Sequence, residues 1–408
     1  MTGPVPRSRP RTITLDSALL VLLASCLIAC DGEETSEQRP MVRDSAGVQI
    51  VESSSPQWQE NDVWRLSDYP DVEIGLSDGP SALQLFHVQD VRRRADGNVL
   101  VVNAGTQEVR LYSPSGAYIR TIGRSGSGPG EFRSPRRLWL DTHDSIIVAD
   151  LDRLLIFDSA GTFVRSHAFS SAYSSYATGD ATYLRLVLAP NVNPVALGYN
   201  RPDFAIVRFT ADGTPADTLT QVSGSEVYRT SPTGREVYSY SAPFGAQRMI
   251  AVHSRSVFTG DGKIFEVRQL DERGTLRRIL RRSGEPQPVT AEAIALFEQS
   301  MLQLFQIEEQ RVLLRQLFQE WSYPDTQPEY DRLVIDRPGN VWIRHFHVEP
   351  EDSTAWTIFN NAGWWLGDLS LPAALEVKDI GDHYLLGVWT DDLGVEQVRQ
   401  YRIEKPSA

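Results

Sequence analysis

Cysteine is almost absent from this 408-residue chain: there are two, Cys26 and Cys30, both close to the start. From residue 31 onward no disulfide, catalytic thiol or thiolate zinc site can be assembled. A surplus of positive charge is missing too, since 40 Lys and Arg face 53 Asp and Glu for a formal net charge of −13. Setting aside residues 1–29, with Arg7, Arg9 and Arg11 against Asp16, leaves about −15. Such a balance repels phosphate backbones, so nucleic acid is not an expected partner. The basic runs Arg92-Arg93-Arg94, Arg136-Arg137 and Arg281-Arg282 read as solvated strand faces, with an anion-binding rim as the alternative. No apolar run reaches the ~20 residues that a spanning helix needs; the run from Ala18 to Ile28 covers about 11. Serine-nucleophile elbows, HExxH helices and dinucleotide fingerprints are lacking. The Gly126 to Gly130 run is followed by no Lys and opens no helix, which excludes a phosphate loop.

What is present begins with an address. Residues 1–30 pass from an Arg-bearing polar stretch into the apolar run and end in Leu27-Ile28-Ala29-Cys30, the layout of a cleaved signal peptide over residues 1–29. The last four residues resemble the bacterial lipobox, in which the Cys is acylated on sulfur and becomes the first mature residue. Small Ala29 suits cleavage, and the Cys30 thiol is the nucleophile that takes the lipid. Each buried CH₂ of an acyl chain contributes about 0.8 kcal/mol, so a multiply acylated Cys30 holds a protein on a membrane without a spanning helix. The alternative is an ordinary secretory signal with an incidental Cys. Residues 30–43 are polar and acidic without apolar period and read as a flexible tether. The expectation is an exported lipoprotein of the bacterial envelope, monomeric, with the inner or outer membrane left open.

The remainder is apolar enough to fold, with 41% hydrophobic residues, 9 Trp, 14 Tyr and 15 Phe. Its strongest signal is an internal repeat. Asp96-Gly97 introduces Val99-Leu100-Val101-Val102-Asn103, then Val109 to Tyr112, then Ser113-Pro114-Ser115-Gly116. Asp144 introduces Ile146 to Asp150, then Leu154 to Phe157, then Asp158-Ser159-Ala160-Gly161, in register at a spacing of 45 to 47. Short runs of β-branched and aromatic residues between Asp-Gly or Ser-x-Gly turns are hairpins. Fainter copies begin near Phe204, Ile264, Leu333 and Tyr384, giving six units. A single blade cannot bury both faces of its sheet, so blades must stack around an axis. The expected fold is all-β: a six-bladed β-propeller of four-stranded antiparallel blades over residues 44–405. Its last unit has three obvious strands, near 375–380, 384–389 and 395–403. The fourth is expected from the N-terminus, either Val48-Gln49-Ile50-Val51 or Val63-Trp64-Arg65-Leu66. A β-sandwich is the competing architecture, but it predicts no such repeated grammar.

Gly126-Ser127-Gly128-Pro129-Gly130-Glu131-Phe132, followed by Ser134-Pro135, resembles the inter-blade linker of NHL-type propellers. The likeness covers about residues 85–170. The whole chain resembles the lipoprotein-borne six-bladed propellers of bacteria, which generally have no assigned activity. One segment breaks the β rhythm: from Thr290 to Trp321, apolar residues recur at three and four, through Ile294, Phe297, Met301, Leu304, Phe305, Leu314 and Leu317. This predicts an amphipathic helical insertion over 290–321, capped by Thr290 and ended by Pro324 and Pro328. It is read as packed on the propeller rim, with a partner-docking element as the sharper alternative.

Candidate chemistry is sparse. His345-Phe346-His347 places two imidazoles on one face of a strand, as a metal pair or as structural side chains. Asn103 and Asp150 hold equivalent repeat positions at strand ends, and Arg344 is given a comparable place in blade 5; all three are candidates for the channel or its mouth. In propellers resembling gluconolactonases, Asn, Asp and Glu oxygens from different blades hold a central calcium. The leading expectation is a non-catalytic binding or scaffold propeller for a small molecule, glycan or protein, with a calcium-dependent hydrolase or lactonase as the alternative.

Overall fold

In the computed structural model, residues 1–3, 39–168, 175–178, 182–190, 192, 196–231, 234–348 and 352–406 are described. The signal peptide, Cys30 and most of the tether lie outside them. Residues 39–408 form one unit, and it is a six-bladed β-propeller.

Blade 1 is built from Val88–Arg93, Val99–Asn103, Glu108–Tyr112 and Tyr118–Ile122, paired antiparallel in chain order. Blade 2 repeats the plan with Pro135–Leu140, Ile146–Asp150, Arg153–Phe157 and Phe163–Ala168. Blade 3 uses Ser175–Ala177, Tyr183–Leu188, Asp203–Phe209 and Pro215–Ser223; blade 4 uses Met249–His253, Ser256–Gly260, Glu266–Leu270 and Leu276–Arg282. Blade 5 runs from Tyr330–Ile335 to Trp365–Pro372. The turns are as the sequence writes them: at Gly161, φ is +76°, a backbone region that suits a residue without Cβ.

Blade 6 has three strands of its own, Leu375–Ile380, Tyr384–Thr390 and Glu396–Glu404. Its outer position is filled by Arg65–Leu66 and Val72–Ile74, both antiparallel to Glu396–Glu404. The second expected N-terminal segment therefore closes the ring, joined by Val72–Ile74. The first does something else: Val48–Ser53 pairs in parallel with Leu276–Arg282 on the outer edge of blade 4, and Met41–Ser45 pairs antiparallel beyond it. Strand thus begins at Met41, inside the stretch read as tether. Between these two docking sites the chain crosses blade 5, where Gln57 and Trp58 donate N–H bonds to Trp365 and Leu366 oxygens. Trp58 lies so close to blade 5 that a Cβ on Gly367 would come within 2.1 Å of its ring, so only glycine fits there.

Successive blades meet through separate apolar seams. The 6/1, 1/2, 4/5 and 5/6 seams each bury eleven or twelve core side chains. The 2/3 and 3/4 seams have six and five among the described residues. Among the described residues the ring is thus well packed on one side and thinner around blade 3.

The helical insertion is two helices, α1 (Ala291–Gln303) and α2 (Glu308–Glu320). The Thr290 side chain caps α1 by accepting the Ala293 N–H at 3.1 Å. A single helix over 290–321 would run about 48 Å and leave its apolar stripe uncovered. Folding back at 304–307 instead sets Phe297, Met301, Leu302 and Phe305 against Leu314, Leu317 and Trp321. Tyr228 and Tyr240 complete this cluster. They belong to an accessory sheet of Gly198–Asn200, Val227–Thr230 and Tyr238–Ser241. Most of the stripe is covered within the chain, while Leu304, Ile307 and Val312 stay exposed around the fold-back.

Candidate functional site: the central channel

In an antiparallel blade, the connection between strands two and three and the exit to the next blade leave from one face. All additions lie on that face: residues 198–200 in blade 3, 227–241 between blades 3 and 4, and the helical hairpin between blades 4 and 5. The first strand of each blade starts there and descends along the axis.

Those six first strands line a central channel of about 840 Å³. Six cationic and four acidic side chains face it: Arg92, Arg136, Arg137, Arg248, Arg332 and Lys378 against Asp90, Asp331, Glu376 and Asp379. The channel is locally cationic in a chain of net charge −13. Basic runs read as solvated strand faces thus bring Arg92, Arg136 and Arg137 to the channel wall, the adjacent Arg136 and Arg137 both doing so where the first strand of blade 2 shifts register between Pro135 and Arg137.

The acids are all engaged. Asp90, nearly buried, accepts the Val91 and Leu138 N–H groups at 2.9 Å and pairs with Arg92 at 3.3 Å. Asp379 accepts from the Arg93 N–H, the Arg337 guanidinium and the Tyr384 hydroxyl at 2.9 to 3.1 Å. Asp331 is held by both arms of Arg344, at 2.7 and 3.1 Å. Lys378 at 2.8 Å and Arg332 at 3.2 Å keep the Glu376 carboxyl below its ordinary range against the opposing effect of burial. Cations on the same side stitch blades together: Arg92 donates to Leu138 and Lys378 oxygens, Lys378 to Gln89 oxygen, and Arg332 to Val377 oxygen.

Blades 2 to 4 differ. Arg136 reaches across to Gln89 Oε1 at 3.1 Å. Arg137 sits over the Tyr176 ring at 4.9 Å and Arg248 over the Phe204 ring at 4.2 Å. Among the described residues neither makes an ion pair. Burial pushes the Arg248 guanidinium below its ordinary value. Arg248 also borders a groove of about 560 Å³ along the 3/4 seam, shared with Thr220, Thr259 and Arg268.

The site residues expected from sequence go elsewhere. Asn103 and Asp150 are fully buried and absent from the channel wall. Asn103 Oδ1 accepts the Phe86 N–H at 2.7 Å. The Asp150 carboxylate accepts the Arg133 and Ser134 N–H groups and pairs with Arg153 at 3.0 Å. Both clamp the segment that enters their own blade, a structural duty common to the repeat. Register places His345, not Arg344, at the equivalent position of blade 5: Tyr330 faces His345 as Val88 faces Asn103 and Pro135 faces Asp150. Arg344 acts on the channel indirectly, through Asp331.

His345 and His347 do not form a metal pair. His345 Nε2 lies 3.0 Å from Arg282 Nη1 and 2.8 Å from Thr357 Oγ1, so the arginine occupies its lone pair. Burial and then Arg282 lower its pKa, keeping the ring neutral. The His347 ring turns to the His345 carbonyl oxygen at 3.3 Å. Among the described residues no group of three His, Cys, Asp or Glu could hold a metal ion. The calcium arrangement expected at Asn103 and Asp150 is not assembled.

A family model described as a 6-bladed β-propeller (DUF5128) matches residues 84–185. Among solved structures the chain is similar to a candidate exported protein of Bacteroides fragilis, with 12% identity, 87% of this chain and 100% of that one covered, and a TM-score of 0.49. It is also similar to a DUF4221 family member from Bacteroides vulgatus, with 10% identity, 85% and 100% coverage, and a TM-score of 0.47. A gluconolactonase of Xanthomonas campestris aligns at 12% identity over 83% and 100% of the chains, with a TM-score of 0.36. No curated protein matches the chain. None of these likenesses lends a residue role.

Proposed function

We propose that this chain is an exported lipoprotein, anchored through acyl chains on Cys30, whose propeller binds a small molecule or glycan in the mouth of its central channel without transforming it. The observation that carries the binding reading is the channel itself. Its volume of about 840 Å³ lies within the ~300–1,000 Å³ of small-molecule sites. Trp139 and Tyr176 supply aromatic faces in its wall beside the charged groups. Binding is favoured over catalysis because each channel carboxylate is already held by donors, which leaves no acid or base poised for proton transfer. The lipobox over residues 27–30 supports the anchor, and the Gly126 to Phe132 linker supports kinship with NHL-type propellers. Among the described residues no helix is long and apolar enough to cross a membrane.

The binding reading is tested by thermal unfolding against a metabolite and oligosaccharide library, comparing wild type with Ala251→Trp, which plugs the channel wall. A ligand at 100 times its Kd stabilises by about 2.7 kcal/mol. The expected result is stabilisation in wild type that vanishes in the plugged variant; equal stabilisation of both proteins sinks the channel as the site. For the anchor, Cys30→Ser is expected to move the protein from the membrane to the soluble fraction with loss of the acyl mass on its N-terminal peptide.

A further inference from the structure

Resting on that binding reading, we infer that the channel ligand carries an acidic oxyanion group, carboxylate or phosphate ester, received between Arg137 of blade 2 and Arg248 of blade 4 beside Tyr176 of blade 3. Three observations converge on this sector. Both arginines line the same cavity as Tyr176, whose ring Arg137 covers at 4.9 Å. Neither forms an ion pair among the described residues, whereas Arg92, Arg332 and Lys378 across the channel are paired with acids. Arg248 immediately precedes the first strand of blade 4 at the decorated face and borders both the channel and the 3/4 groove, within reach of a ligand in either.

The residue type matters. Only three of the 40 basic residues are lysines, and both members of this pair are arginines. A guanidinium offers a planar fork that takes two oxygens of a carboxylate or phosphate at once. A partly buried, uncompensated guanidinium is costly, and an incoming oxyanion removes that cost. The chain's overall charge of −13 opposes an anion only at long range, because exposed charges are screened beyond about 8 Å at physiological salt. Inside the channel, Arg137 and Arg248 carry charge with no ion-pair partner among the described residues. The body of the ligand then lies against Tyr176 and Trp139.

The test titrates the detergent-solubilised full chain by calorimetry with glucuronate, glucose 6-phosphate and glucose, which share a ring and differ in the acid. At least one acid is expected to bind at least about tenfold more tightly than glucose, and which acid does so separates a carboxylate from a phosphate source. Arg137→Gln and Arg248→Gln are each expected to weaken that acid by about tenfold, the equivalent of about 1.4 kcal/mol. Arg255→Gln, the same charge change on an exposed turn, is expected to leave affinity within about twofold. Arg248→Lys, which keeps charge and loses the fork, is expected to fall between wild type and Arg248→Gln. The inference is overturned if neither acid binds, if glucose binds as well as the acids, or if the two glutamine variants, folded by thermal unfolding, bind as wild type does. If neutral library ligands stabilise wild type but not Ala251→Trp while both acids fail, the anion inference falls and the binding reading stands. If no ligand distinguishes wild type from Ala251→Trp, the binding reading itself falls.

Discussion

Blades 1 and 2 stand beside blades 3 and 4 on one four-strand plan, and they use it differently. In blades 1 and 2 the loops are short, and buried Asn103 and Asp150 clamp the entering chain. The 1/2 seam buries eleven core side chains. Around blade 3 the seams shrink to six and five among the described residues, a groove opens along the 3/4 boundary, and the accessory sheet and helices gather on the adjoining face. The channel cations divide along another line: Arg92, Arg332 and Lys378 of blades 1, 5 and 6 pair with acids, while Arg137 of blade 2 and Arg248 of blade 4 make no ion pair among the described residues. One part of the ring is built to hold its shape, and the other keeps its interactions available.

The largest blow to this contrast is expected from Asp150→Ala. It leaves Arg153 and two N–H groups without their buried acceptor, a loss of about 3–5 kcal/mol to be read by denaturant unfolding. Next comes Trp321→Ala in the accessory cluster, where removal of a large buried side chain costs about 3 kcal/mol. Its effect is expected to stay local: hydrogen exchange should quicken in Val227–Thr230 and Tyr238–Ser241 while blades 1 and 2 keep their protection. Equal quickening throughout the ring would mean that the decorated side is not a separate unit. The smallest effects separate two channel arginines. Arg92→Gln loses bonds to Leu138 and Lys378 oxygens and to Asp90, about 2 kcal/mol. Arg248→Gln loses only its place over Phe204, less than about 1 kcal/mol. Similar melting shifts for the two variants would erase the division between paired and unpaired channel cations.

Architecture was legible in the sequence where local chemistry decides it. Asp-Gly turns, the Val99 to Asn103 strand and its copy Ile146 to Asp150 name the blades, since turn type and alternation act over a few residues. The helical period around Phe297 and Leu317 was equally plain, but the fold-back at 304–307 was not, because what ends α1 is the covering of its stripe by α2 and by Tyr228 and Tyr240. Closure of blade 6 was half legible: two apolar N-terminal segments were visible, and only pairing across more than 200 residues assigns them. The channel was least legible. That Arg136 and Arg137 both reach the channel, or that Arg248 joins them from blade 4, depends on a register shift and on the ring's geometry. The one usable signal was the basic run at the start of a first strand. Asn103 and Asp150 were singled out correctly as equivalent, yet equivalence across repeats marked a shared structural clamp rather than a shared ligand.

The outer strands on blade 4 also have a mechanical meaning. A pull on the chain ahead of Met41 reaches the open end of the hairpin, where Met41 faces Glu52, and unzips it one pair at a time. Releasing five residues frees about 17 Å of chain before any load falls on the parallel contact of Val48–Ser53 with Leu276–Arg282. Beyond that contact the same segment still has to be stripped from blade 5 before the strands that close blade 6 feel any tension. The first strand is thus a fuse that spends itself so that the ring stays shut.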